Sequence, residues 1–275
     1  MGIDVSKLKV PNISGTSIKV MEVISGDDPD LNMVGDLIAK DPLLSSTLLR
    51  IANSAMYRRE KEIDNVRTAV GMLGAKKVRM AVTVVSMRSI AAARSPIQEL
   101  EWEHCFAISA LCRLIGHYAF PVMMEDLELT GLLHDMGALI LIGNYPKEYE
   151  KLVAAANSRT MAIVDAEKKF FGVDRNEVLM TMSEGLHLPA ITRQAMEAFR
   201  AVQPVTSIDS AVDTHLAVLS LAHYIDMSFQ GENSLPVEKL TGDMASLKAL
   251  VGLSDENIDD IMEEYQDILN DLLTV

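Results

Sequence analysis

Aromatic side chains are scarce: Phe, Tyr and Trp make up 5% of the 275 residues. A core without them rests on Leu, Ile, Val, Met and Ala, a mix that favours helices over β-sandwiches. Positive charge is also short, with 25 Lys and Arg against 39 Asp and Glu and a net charge of −14. Such a surface repels phosphate backbones, so nucleic acid is not an expected partner. The one local basic group, Lys76, Lys77 and Arg79, reads as a solvated helix face. Only two cysteines occur, Cys105 and Cys112, seven residues apart on one face of a helix. Met1 to Val10 carry no apolar run of the kind a secretory signal needs. The cysteines therefore read as buried thiols of a cytoplasmic protein. The longest apolar stretch, Leu127 to Ile142, is interrupted by Glu128, His134 and Asp135. It reads as a core helix, and no membrane association is expected. Alternating strand patterns, internal repeats and Gly/Ser linkers are absent as well.

What is present is helical punctuation. The chain is 49% hydrophobic and long enough for one large domain or two packed lobes with a shared core. Asp28-Pro29 and Asp41-Pro42 pair an N-cap residue with a proline that suits the first helical turn. After the second, Leu44, Leu48, Ile51 and Ala52 form a stripe with helical spacing. Gly74 separates a short helix over 64–72 from an apolar one over 75–92, and Ser95-Pro96 opens a long helix. Further helices are predicted near 123–142, 146–157, 160–171, 174–186, 189–201, 209–229 and 255–273. Asp174 and Glu177 form a capping box. The softest boundary lies between Ala92 and Pro96, and all six histidines (104, 117, 134, 187, 215 and 223) follow it.

Two segments are distinctive. The first is Ile38-Ala39-Lys40-Asp41-Pro42-Leu43, continued by Leu48-Leu49-Arg50-Ile51-Ala52-Asn53-Ser54-Ala55 and by Val66-Arg67-Thr68-Ala69-Val70-Gly71-Met72-Leu73-Gly74. The second is Gly131-Leu132-Leu133-His134-Asp135-Met136-Gly137, about thirty residues after Trp102 and His104. Together, in this order, they resemble the HDOD domain, the output domain related to the HD phosphohydrolases and found in bacterial signalling proteins. The resemblance runs over residues 8–202. It implies an all-α, multi-helix HD-type bundle with an additional N-terminal helical lobe. That lobe would cover residues 8–93 and the HD-like lobe would start near residue 96. Residues 203–275 would form a C-terminal helical extension packed on the HD-like lobe.

The resemblance also implies a metal site. An HD site gathers a histidine from one helix, a His-Asp pair from a second and an acid from a later one. Such imidazole and carboxylate donors suit a divalent ion such as Fe, Mn, Zn or Ni. Here His104, His134 and Asp135 match the first three positions, and His223 stands in for the fourth. Two departures weaken the chemistry. Where many relatives carry a histidine after an FG-x-D turn, this chain reads Phe171-Gly172-Val173-Asp174-Arg175, and Arg175 cannot ligate a metal. A later His-His pair falls at Phe199-Arg200, so a two-metal site lacks ligands, and no second acid for catalysis is evident. His117, His187 and His215 match no ligand position, and Asn53 and Ser54 read as bridging groups. No catalytic residue is assigned. The expected function is that of a non-catalytic signalling module acting on a protein partner or small ligand. A metal-dependent phosphohydrolase acting on a nucleotide or other phosphoester is the alternative.

Overall fold

A computed structural model of the protein describes residues 2–9, 14–26, 28–53, 62–88, 95–159, 161–182, 188–200, 204–229, 240 and 242–272. Among the described residues there is no strand, and two compact units are distinguished: Val10–Ala92, and Met1–Lys9 together with Ala93–Val275.

The Val10–Ala92 unit contains α1 (Gly15–Ile24), α2 (Leu31–Ile38), α3 (Pro42–Ala52) and α4 (Val66–Arg88). Val20, Ile24, Val34, Ile38, Leu44, Leu48, Val70 and Val78 fill its core. Asp41 caps α3 as the sequence indicates, its Oδ1 accepting from the N–H groups of Leu43 and Leu44 at 3.0 and 3.1 Å. The cap of α2 is Asp30 rather than Asp28, because Asp30 Oδ1 accepts from Asn32 and Met33. Asn53 closes the end of α3, bonding Ile63 through both its amide nitrogen and its oxygen at 2.8 Å. Ser54 lies outside the described residues. Helix α4 breaks at Gly74, whose φ of 73° and ψ of 174° leave the helical region. Of the solvated face expected for Lys76, Lys77 and Arg79, only Lys76 is exposed. Lys77 is buried and an Arg79 guanidinium nitrogen donates to the Ile24 carbonyl at 3.1 Å. Long basic side chains cover apolar surface along their stems, which the sequence pattern alone does not distinguish from exposure.

The second unit comprises α5 (Pro96–Ala119), α6 (Met124–Leu133), α7 (Met136–Asn144), α8 (Pro146–Arg159), α9 (Ile163–Phe171), α10 (Arg175–Met182), α11 (Ala190–Arg200), α12 (Ala211–Phe229), α13 (Met244–Val251) and α14 (Asp255–Leu272). Helices α5 and α12 are buried over most of their lengths, polar residues such as Glu101, His215 and Asp226 included. The other helices pack around them, with α6, α7, α8, α12 and α14 all against α5. Ile258, Ile261 and Tyr265 form the buried stripe of α14, and its acidic residues from Asp255 to Asp267 face outward. Cys105 and Cys112 are free and buried. No described helix is long and apolar enough to cross a membrane.

The helix expected over 123–142 is instead two, α6 and α7, parted at His134-Asp135. Asp135 adopts φ −108° and ψ 20°, which turns the chain while its carbonyl still starts α7 by accepting from Ala138. Hydrophobic periodicity runs through the break, so it leaves no mark in the sequence. Two glycines seat these helices. A Cβ on Gly131 would lie 2.9 Å from the Ile108 carbonyl oxygen and from Cys112 Sγ, so α6 rests directly on α5. A Cβ on Gly137 would run into the backbone of Arg175, so α7 and the start of α10 touch main chain to main chain. Gly137→Ala must therefore push α10 away. We expect a loss of about 3 kcal/mol in urea-unfolding free energy, at the upper end of overpacking costs. A loss below about 0.5 kcal/mol would show that the contact is not needed.

Candidate metal centre

Three of the four sequence-predicted ligands converge. One ring nitrogen from each of His104 on α5, His134 at the end of α6 and His223 on α12 lies within 4.8 Å of the others. The rings meet edge to face, with centroids 4.9–5.4 Å apart. Each imidazole is oriented from behind. His134 Nδ1 lies 2.7 Å from the Gly131 carbonyl and His223 Nδ1 lies 2.8 Å from the Leu219 carbonyl. A carbonyl only accepts, so both Nδ1 atoms carry a proton, and in a neutral ring the lone pair is then on Nε2. His104 Nδ1 faces Asp226 Oδ2 at 3.3 Å. Burial, followed by the neighbouring His134 and His104, pulls His223 down to about 3, so its ring is neutral at any ordinary pH. Phe199 stacks on His223 with centroids 5.7 Å apart, which puts an apolar ring where a further ligand would be needed.

Asp135 joins these histidines but is claimed by another partner. Its Oδ2 lies 3.3 Å from His134 Nε2 and 3.8 Å from His104 Nε2, yet only 2.5 Å from Arg175 Nη1. Arg175 is buried at the start of α10, brought there by the turn after α9. The capping box is present at that turn: the Asp174 N–H donates to Glu177 Oε2 at 3.0 Å and the Glu177 N–H to Asp174 Oδ1 at 2.9 Å. From there the guanidinium also donates to Glu101 Oε1 at 3.2 Å, Glu167 Oε1 at 2.9 Å and the Tyr149 hydroxyl at 2.8 Å. Tyr149 in turn donates to Glu167 at 2.5 Å.

This cluster holds one permanent cation against three carboxyl groups, all buried. Burial pushes all three carboxyls up, but they do not respond alike. At Asp135 the Arg175 charge, aided by His134 and His104, outweighs burial and holds the carboxylate well below its usual range. At Glu101 burial prevails over Arg175, and the Asp135 charge adds to it, so the group is held well above its usual range. Glu167 is also raised by burial, against the pull of Arg175.

Several of these residues escape sequence reasoning. Glu101 and Asp226 sit three positions from His104 and His223, on the same helix faces, and that spacing was a usable signal. Tyr149, Glu167 and Tyr265 come from other helices and carry no local signal. The structure adds three buried acids that the sequence reading did not name: Asp226 beside His104, and Glu101 and Glu167 on Arg175. Of the remaining histidines, His117 is exposed and His187 lies outside the described residues. His215 faces Thr130 Oγ1 at 2.8 Å, apart from the three-histidine group.

Two outcomes follow from these charges. Arg175→Met leaves buried carboxylates without their cation and is expected to cost about 3–5 kcal/mol at pH 8. Without the guanidinium, burial raises the folded-state values of these groups above the unfolded ones, so proton uptake favours the folded chain. The deficit should shrink as the pH is lowered to 5, and a deficit that grows would contradict this account. Burial also pulls His215 from 6.5 to about 4, against a smaller opposing pull from Asp126. The unfolded chain therefore binds more protons between these values, and stability falls as the pH drops through that window. His215→Asn should remove roughly 3 kcal/mol of that acid sensitivity between pH 6.5 and 4, at 1.36 kcal/mol per pH unit. An unchanged slope would rule His215 out as its source.

Comparison with known proteins agrees with this fold. Residues 10–202 match the HDOD domain family. An HDOD domain protein of unknown function from Geobacter sulfurreducens superposes with a TM-score of 0.71 over 97% of this chain and 95% of its own, at 19% identity. A Shewanella amazonensis protein whose name places it among the phosphohydrolases gives 0.70 over 96% and 92%, also at 19% identity. A Marinobacter aquaeolei protein named for signal transduction gives 0.71 over 96% of this chain and 58% of its own, at 15% identity. Among curated proteins, an uncharacterised one from Treponema pallidum (strain Nichols) is 20% identical over 184 residues. That alignment covers 66% of this chain and 35% of the relative, so this chain spans about a third of that protein's length. The match over residues 10–202, which spans both the N-terminal segment and the His-Asp segment, establishes that the chain belongs to the HDOD domain family.

Proposed function

We propose that this chain is a non-catalytic HDOD signalling module that acts through a protein partner or small ligand, with one divalent metal held by its three histidines. The observation that carries the reading is the 2.5 Å pair between Arg175 and Asp135. Hydrolytic HD chemistry draws on the aspartate of the His-Asp pair, and here that carboxylate is committed to a fixed cation. Withdrawing it toward a metal would strand a buried guanidinium, at a cost of about 3–5 kcal/mol. The other acids are committed too: Glu101 and Glu167 to Arg175, and Asp226 to Tyr265 and His104. None of them stands ready as a general base toward water.

The histidines themselves suit a metal. His104, His134 and His223 would hold a divalent ion through ring nitrogens whose opposite sides already face a carboxylate or a carbonyl. A bound ion would supply Lewis acidity there. That arrangement is also what supports the second reading, a one-metal phosphohydrolase. The two readings divide on turnover. Protein purified without tag or chelator is to be assayed for metal content. It is then tested, with added Mn, Fe or Zn, against phosphomonoesters, phosphodiesters and cyclic dinucleotides. We expect close to one equivalent of metal, lost in His134→Ala, with no hydrolysis above the metal-containing buffer. Hydrolysis that disappears in both His134→Ala and Asp135→Ala would replace the signalling reading with the enzymatic one.

A further inference from the structure

The deepest-buried tyrosine of the C-terminal helix points at the metal centre. Tyr265 on α14 is wholly buried, and its hydroxyl donates to Asp226 Oδ1 at 2.5 Å. The other oxygen of that carboxylate, Oδ2, lies 3.3 Å from His104 Nδ1. Asp226 stands one helical turn beyond His223 on α12, so a single helix supplies both a candidate ligand and the acid behind another ligand. His104 differs from its two partners in this respect. His134 and His223 are oriented by carbonyls of their own helices, which move with them. His104 depends on a side chain from α12 that is itself fixed by a side chain from α14.

We infer that Asp226 and Tyr265 are positioning residues of the metal centre, setting the tautomer of His104 so that Nε2 presents its lone pair beside those of His134 and His223. The inference rests on the metal reading above and extends it to α14, which lies beyond the segment matched by the family. The chemistry is that of a carboxylate–histidine–metal relay. The outer carboxylate accepts a hydrogen bond from the Nδ1–H group, orients the ring and raises the basicity of the coordinating nitrogen. Replacing such a carboxylate by an amide keeps the shape but favours the wrong tautomer. The Tyr265 hydroxyl fixes the Asp226 rotamer, and the tyrosine ring, packed edge to face on Phe229 at 5.2 Å, keeps its place when the hydroxyl is removed.

The test compares the full chain with Asp226→Asn, Tyr265→Phe and His134→Ala, each first checked for an intact thermal transition. Long-range proton–nitrogen spectra of the metal-free imidazoles report the His104 tautomer directly. Titration with Co²⁺, followed by its visible absorption, reports affinity and ligand geometry. We expect the wild type to show a single Nδ1–H form of His104 and Asp226→Asn to shift it toward Nε2–H. Co²⁺ affinity should fall 10–100-fold in Asp226→Asn and about 3–10-fold in Tyr265→Phe, with an altered spectrum in both. An unchanged His104 tautomer, together with Co²⁺ affinities within twofold of wild type, would overturn the inference. If the wild type binds no Co²⁺, or His134→Ala binds it equally well, the metal reading fails. The tautomer shift then still decides whether Asp226 positions His104.

Discussion

A guanidinium buried among carboxyl groups is an expensive thing to build, and the HD region of this chain is organised around one. Arg175 reaches Asp135, Glu101, Glu167 and the Tyr149 hydroxyl from a single position at the start of α10. Those partners come from α5, the break between α6 and α7, α8 and α9, so one side chain ties five elements together. The close seat of α7 on α10 at Gly137 serves the same end, because it carries the Arg175 backbone to where the guanidinium can reach the His-Asp pair. A cluster of this kind contributes specificity of arrangement more than net stability, since desolvation offsets much of the Coulomb attraction. Its functional consequence is local. The aspartate that a hydrolytic HD site would use is held by a fixed positive charge, and the three histidines are left as the groups that could hold a metal.

The histidines form the complementary half of the site. Their Nδ1 sides meet two carbonyls and one carboxylate, which orient the rings so that Nε2 faces the other histidines. The net charge of −14 repels charged phosphoesters at long range. Binding, orientation and transmission of a conformational change are tasks this arrangement suits better than turnover.

Much of this was legible in the sequence. The all-α class follows from composition and punctuation, the capping box at Asp174 and Glu177 is present as written, and His104, His134 and His223 do meet. Arg175 was recognisable as a residue that cannot ligate a metal, but its reach to Asp135 was not, because that contact depends on a turn and on a helix packing that no local pattern records. The break at Asp135 was hidden by apolar periodicity that continues on both sides of it. Lys77 was misplaced because a buried lysine looks like any other in a charge count. Asp226 and Tyr265 illustrate the same limit at longer range: they are 39 residues apart and meet only once α12 and α14 are packed.

The central claim is that Asp135 belongs to Arg175. A double-mutant cycle tests it most directly, with unfolding free energies measured for wild type, Arg175→Met, Asp135→Asn and the double variant at pH 8. The account predicts a coupling of about 2 kcal/mol or more, the double variant being far less damaged than the sum of the single ones. Additivity within about 0.5 kcal/mol would mean that the aspartate is energetically independent of the arginine and available to a metal after all.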